Sequence, residues 1–388
     1  MAYKKFSANS IFDGTALLDD KQVLVMDDHG VVQEIVHRND AGDDILELKG
    51  ILTPGFINAH CHLELSHMKD SIPMHTGLLD FVFNVMSNRH MPEAEMLAAI
   101  EKADKAMREE GIVAVGDICN NALTVQQKKL STIHYHNFIE VAGFAPEAAV
   151  SRFEKANEVL DVYHSALHDQ DSVVTPHAPY SVSAELFSLI NAATANKLIS
   201  IHNQETEAEN DFYLHKSGDF LRLYETLGLD ISFFKASGKT SVQTWLPYFD
   251  RQQSLLLVHN LHTSQEDLAF MQQALLTNPH SIHFCLCPNA NLYISNQLPD
   301  VGQLIQQGCN IVLGTDSLAS NQQLSIVAEM RTLRKHFPGI SLTQLLQWAT
   351  INGARALQVE DRFGSFEKGK RPGLVLLSTD LSTAKRLY

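Results

Sequence analysis

An α/β fold, a (β/α)8 barrel of the TIM type with a small β domain, is what this sequence predicts, and three observations predict it. Eight short apolar runs recur along the middle of the chain, long stretches with helix-spaced apolar residues separate them, and both chain ends read as β structure. The runs are Phe56-Ile57-Asn58-Ala59, Ile112 to Val115, Ile133 to Ile139, Val173-Val174, Leu198 to Ile201, Leu255 to Val258, Ile282 to Cys285 and Ile311 to Leu313. The separating stretches include Pro92 to Glu110, Ala184 to Ala195 and Ser264 to Leu276. Strands alternating with helices build a parallel sheet, and eight units fit a closed barrel better than an open doubly wound sheet.

The ends of the chain follow a different pattern. Ser10-Ile11-Phe12 stops at Asp13-Gly14, and Val23 to Met26 stops at Asp27-Asp28-His29-Gly30 before Val31 to His37 resumes. After Gly364 the chain turns β-like again at Pro372-Gly373-Leu374-Val375-Leu376-Leu377. The expected division is a small β domain from residues 1–51 plus 364–388, and a barrel from residues 52–363.

Composition narrows the class. Of 388 residues, 45% are hydrophobic and 19% charged, enough apolar material for a large core. The net charge of −15 is the wrong sign for a protein that displaces counterions from nucleic acid. Met1 to Leu18 lacks the apolar stretch of a secretory leader, and no segment approaches the roughly 18 apolar residues that cross a bilayer. Five cysteines without regular spacing fit free thiols in a reducing compartment. The expectation is a soluble, cytoplasmic protein with a small-molecule substrate and no nucleic-acid or membrane partner.

The chemistry is expected where the runs end. The first run is followed by His60-Cys61-His62, the fourth by Pro176-His177-Ala178-Pro179-Tyr180 and the fifth by His202-Asn203-Gln204-Glu205. The sixth is followed by His259 and the eighth by Asp316. The C-terminal ends of barrel strands share one mouth, so these groups would converge despite their separation in sequence. His60 and His62, two apart on a strand, point the same way. With His202 and Asp316 they make three neutral nitrogens and one carboxylate, a set suited to one Zn²⁺, with Fe²⁺ as the alternative. An ion with an open position lowers the pKa of bound water to about 7 and so supplies hydroxide. Asp316 alone would equally suit a helix N-cap; polar residues closing several separate strands at the same end are harder to explain that way.

Competing motifs fail. Ser237-Gly238-Lys239-Thr240 ends like a phosphate loop, but Phe233 stands where the leading glycine belongs. His62-Leu63-Glu64 begins like a cytidine-deaminase zinc signature, yet no Pro-Cys-x-x-Cys follows. His62 and His67 do not make a His-Glu-x-x-His helix, and there is no Gly-x-Ser-x-Gly elbow.

The chain resembles the amidohydrolase superfamily, in its mononuclear branch of aminohydrolases and chlorohydrolases. The resemblance runs nearly end to end, through Leu52 to His62, Thr175 to Tyr180, His202-x-x-Glu205, Leu257-Val258-His259, Cys287 to Leu292, Gly314-Thr315-Asp316-Ser317 and Ala349 to Leu357. It implies a distorted barrel with a β domain assembled from both termini. It also implies that His60, His62, His202 and Asp316 hold the metal and that Glu205 shuttles a proton to a substrate ring nitrogen. His259, with Asp316, would orient or deprotonate the metal-bound water. Binuclear relatives carry a carboxylated lysine after the fourth strand; here Thr175-Pro176-His177 stands there, so one metal is expected and His177 would touch substrate. Gly373 departs from the family's usual acidic residue, away from the site.

Within that branch, Asn58 to Ser66 followed by Gly77 to Phe81 is similar to the adenosine-type deaminases. These act on 6-aminodeoxyfutalosine in menaquinone biosynthesis, on S-adenosylhomocysteine or on methylthioadenosine. The expected reaction is hydrolytic deamination, metal-bound hydroxide attacking the amino-bearing ring carbon, with 6-aminodeoxyfutalosine the leading substrate. Removal of chloride or an alkylamine from another N-heterocycle is the alternative within enzymes. A noncatalytic scaffold is the alternative outside them, against which the intact ligand set argues. Ser317 joins His177 as a substrate-binding candidate. Glu64 suits either a ribose hydroxyl or a structural role, and Arg89 and Arg152 suit either a substrate carboxylate or a helix surface. The resemblance leaves a homodimer open.

Overall fold

The computed structural model describes residues 3–168, 171–277 and 281–388; Met1 and Ala2 of the N-terminal stretch lie outside them. Eight parallel strands carry the molecule: β1 (Phe56–Cys61), β2 (Ile112–Cys119), β3 (His134–Val141), β4 (Ser172–Pro176), β5 (Leu198–Asn203), β6 (Ser254–His259), β7 (Ser281–Leu286) and β8 (Asn310–Leu313). They coincide with the eight apolar runs. Most of their residues are buried because helices such as Glu93–Glu109 and Ala184–Ala193 cover the outside while side chains fill the inside. Ser183 caps the second of these helices by accepting the Leu186 N–H at 3.2 Å.

The strands form two four-stranded sheets, ordered β4-β3-β2-β1 and β5-β6-β7-β8. The halves meet at two irregular seams. At the first, Thr175 Oγ1 accepts the Ser200 N–H at 2.7 Å, and the His202 N–H donates to the His177 carbonyl at 2.9 Å. At the second, the Thr315 and Asp316 N–H groups donate to the His60 carbonyl at 2.9 and 3.1 Å, and Asn58 Nδ2 donates to Thr315 Oγ1 at 2.8 Å. This is the distortion of the barrel. Gly314 lets the second seam close, since a Cβ there would lie 2.8 Å from His60 Cβ and 2.7 Å from Cys285 Sγ.

Two further layers complete the fold. A four-stranded sheet (Val32–His37, Gln22–Asp27, Tyr3–Ser7, Ile45–Glu47) packs on a five-stranded one around Phe6, Ile11, Leu24, Met26 and Leu52. In the second sheet Val375–Leu377, from the C-terminal part, pairs antiparallel with Ile51–Thr53. Above the C-terminal ends of the barrel strands lies a separate apolar layer that includes Leu79, Phe81, Phe144, Tyr180, Phe212 and Phe220. Its members come from loops and helices that follow β1, β3, β4, β5, β7 and β8. Among the described residues no helix is long and apolar enough to cross a membrane.

Candidate active site

The strand ends bring together every residue expected to hold the metal. His62 Nε2 stands 3.3 Å from His202 Nε2 and 3.3 Å from Asp316 Oδ1, and His60 Nε2 stands 3.5 Å from the same oxygen. A tetrahedral ion with donors at about 2.0–2.1 Å holds them roughly 3.3 Å apart, so these edges are those of a zinc-sized tetrahedron. Both ring nitrogens of His60 are buried without a hydrogen bond, a state that bare imidazoles avoid and a coordinated ion relieves. Donor atoms of His60, His202, His259 and Asp316 all lie within 4.8 Å of one another. The donor set therefore fits one divalent ion.

Electrostatics agree with that set. Burial lowers His62 well below the imidazole range and His202 to about 4, which keeps their nitrogens free of protons and able to coordinate. Burial alone would raise Asp316; His60, His62 and His259 outweigh it and hold the carboxylate ionised. Ser320 Oγ donates to Asp316 Oδ2, leaving Oδ1 toward the histidines. Asp316 is no helix cap: it sits in the left-handed region at φ 57°, and the next helix begins at Ile326 under Ser325. His259 is likewise left-handed, at φ 74°. Such backbone strain collects where a fold must aim a side chain.

Beside the cluster stands Glu205. Its Oε1 lies 3.5 Å from His259 Nε2, and burial, then Asp316 and Glu209, raise its pKa well above the carboxylate range. A carboxyl so placed holds its proton to higher pH than an exposed one and can donate it. Asn291 Nδ2 meets His259 Nδ1 at 2.9 Å, which turns Nε2 toward Glu205. His177 is partly exposed; its Nδ1 meets Ser181 Oγ at 2.8 Å and its ring packs against His202. Ser317 is buried, with its Oγ 3.2 Å from that of Ser320.

Glu64 and Arg89 find each other. Arg89 Nη2 donates to Glu64 Oε1 at 3.1 Å, and the Asn120 N–H donates to Oε2 at 3.1 Å, so both carboxyl oxygens are engaged. Burial pushes Glu64 up to about 7 against the pull of Arg89. Arg152 is exposed, its stem packed against Gly143 after β3. Glu140, at the end of β3, carries no motif and was not singled out from the sequence. Its buried Oε1 makes no hydrogen bond and lies 3.5 Å from His202 Nδ1. Asn291 was legible only as part of Cys287 to Leu292.

A family model for the amidohydrolase family matches residues 51–386. The chain belongs to the amidohydrolase family. This amidohydrolase is 28% identical over 368 residues to an adenosine deaminase of Helicobacter pylori, covering 90% of this chain and 87% of that protein. It is 27% identical over 358 residues to a 5-methylthioadenosine/S-adenosylhomocysteine deaminase of Desulforamulus reducens, covering 87% and 75%. Its fold is similar to that of Helicobacter pylori aminofutalosine deaminase in complex with methylthio-coformycin, with a TM-score of 0.78 at 24% identity over 97% and 92% of the two chains. It is also similar to a zinc-bound adenosine deaminase of Xanthomonas campestris, with a TM-score of 0.70 at 20% identity over 97% and 84%. The fold class and family read from the sequence are borne out, and the amidohydrolase is a hydrolase acting on carbon–nitrogen bonds.

Proposed function

We propose that this amidohydrolase is a zinc-dependent deaminase of an adenosine-like nucleoside, with 6-aminodeoxyfutalosine its leading substrate. The observation that carries the reading is the buried Glu205 carboxyl, 3.5 Å from His259 Nε2, beside the tetrahedral edges of His60, His62, His202 and Asp316. The adenosine-type deaminases among its relatives support the substrate class.

His60, His62, His202 and Asp316 would hold the ion, and a divalent ion there lowers the pKa of coordinated water to about 7. Glu205, kept neutral by burial, gives its proton to the ring nitrogen next to the amino-bearing carbon and makes that carbon electrophilic. Asp316 and His259 orient the attacking water and take up its proton. Asp316 then passes the proton taken from the water to the amino group, which leaves as ammonia, while the Glu205 carboxylate takes the remaining hydroxyl proton as the carbonyl forms. His177 and Ser317 lie at the mouth as substrate contacts. Arg89 is engaged by Glu64, which leaves Arg152 as the rim cation for a substrate carboxylate.

The test measures ammonia release and the purine absorbance band with 6-aminodeoxyfutalosine, S-adenosylhomocysteine, methylthioadenosine, adenosine and a chlorotriazine. Deamination of the nucleosides, with the highest kcat/KM for 6-aminodeoxyfutalosine, is expected. A preference for S-adenosylhomocysteine or methylthioadenosine, favoured by the relatives of that name, would replace the leading substrate. Chloride release from the triazine without nucleoside deamination would overturn the reaction.

A further inference from the structure

Lys128 and Asp117 form an ion pair with neither side chain exposed, and no step of the proposed reaction uses it. Lys128 sits on the short helix Val125–Leu130 between β2 and β3, and Asp117 on β2. The Lys128 ammonium donates to Asp117 Oδ2 at 2.5 Å, Asn137 Oδ1 at 2.8 Å and Cys119 Sγ at 3.1 Å. The rings of Tyr135 and Tyr163 each lie 5.0 Å from it. All three of its N–H donors are committed, so the group is a fixed anchor and not a mobile proton carrier.

Burying two charges is costly, and apolar residues of similar volume often serve stability as well or better. What such residues cannot supply is a hydrogen-bond acceptor. Asp117 Oδ1 accepts the Leu63 N–H at 2.8 Å, and Leu63 directly follows His62. The same end of β2 grips the next residue from the other side, through the Asn120 N–H and Glu64 Oε2. At Leu63 the chain leaves β1 and enters the turn Leu63–Met68, so its backbone lacks a strand partner there.

We propose that Asp117, held in place by Lys128, is a positioning residue for the metal centre, fixing the end of β1 so that His60 and His62 face Asp316 and His202. The inference rests on the metal ligation proposed above. The lysine keeps the acceptor aimed, and the acceptor sets where His62 leaves the strand.

The experiment compares two double variants, each free of the buried lysine charge. D117N/K128M keeps an oxygen for the Leu63 N–H; D117L/K128M removes it. Zinc affinity of the metal-free proteins is measured by chelator competition, alongside their melting temperatures. The expected result is a 10–100-fold loss of zinc affinity for D117L/K128M, the size seen when ligand-orienting partners are removed. D117N/K128M, which keeps the acceptor but lacks the lysine that aims it, should bind zinc more tightly than D117L/K128M and more weakly than the parent chain. If D117L/K128M does not fold, D117A/K128M is read in its place. Equal affinities in both variants, whether normal or equally weakened, would overturn the anchoring role. A parent chain that takes up no zinc would overturn the ligation itself, and this inference with it.

Discussion

Asn291 illustrates how much depends on a single side chain. It touches His259 Nδ1 at 2.9 Å and none of the four proposed ligands by hydrogen bond, so its effect should pass through the orientation of one imidazole. Asn291→Ala should lower kcat by about 10–100-fold, the penalty of misplacing a reacting group by up to about 1 Å, with KM and metal content nearly unchanged. Steady-state kinetics with metal analysis would check it. Glu205→Gln should retain metal and lose about 10²–10⁴-fold in kcat, because an amide cannot shuttle the proton; a near-normal rate would remove Glu205 from the chemistry. His60 and His62 were legible in the sequence because a strand repeats every two residues. Glu140, Asp117 and Lys128 were not: each gains its meaning from a partner on another strand or helix, and no spacing rule links Lys128 to Asp117 or Asp117 to Leu63.

At the scale of elements, the helix Glu207–His215 carries a buried acid whose ionisation should mark the stability curve. Glu209 Oε1 accepts the Gln204 N–H at 3.0 Å and the Ser241 hydroxyl, while Oε2 has no partner. Burial pushes its pKa up to about 7, against the hydrogen bonds that favour the anion. Because the folded value lies above the unfolded one, the folded state holds the proton more tightly. Stability from this group is therefore full below about pH 4.5 and falls as pH rises toward about 7, by about 3 kcal/mol in all. Glu209→Gln keeps the oxygen that accepts both bonds, so it should flatten that slope and raise stability at pH 8; denaturant unfolding across pH 4.5 to 8 would reveal it. Strands were the legible elements, since a run buried on both faces is continuously apolar. The stretch after Asp316 was less so: a helix could follow it, but the chain makes turns to Ser325 because Ser320 Oγ donates to Asp316 Oδ2 and Asn321 Nδ2 donates to the Thr315 carbonyl.

For the molecule as a whole, the parallel strand pattern foretold a barrel but not its division into two half-cylinders. Apolar periodicity reports burial, and a residue at a seam is as buried as one inside a ladder. The seams run beside the chemistry: His60 and Asp316 border one, His177 and His202 the other. Removal of the ion by a chelator should therefore lower the melting temperature, by an amount set by mass action. Free metal at a hundred times its Kd is worth about 2.7 kcal/mol to the folded state. Calorimetry with and without chelator would measure it, and an unchanged melting temperature would argue against ligation by these residues.

The placement of those seams has a mechanical sequel. His60 and His62 belong to one half-cylinder, His202 and Asp316 to the other, so a cation gripped by all four would act as a rivet through two shells that backbone pairing alone joins weakly. Amide exchange should then slow, on loading, chiefly along β1, β4, β5 and β8, while the middles of both sheets stay as they were.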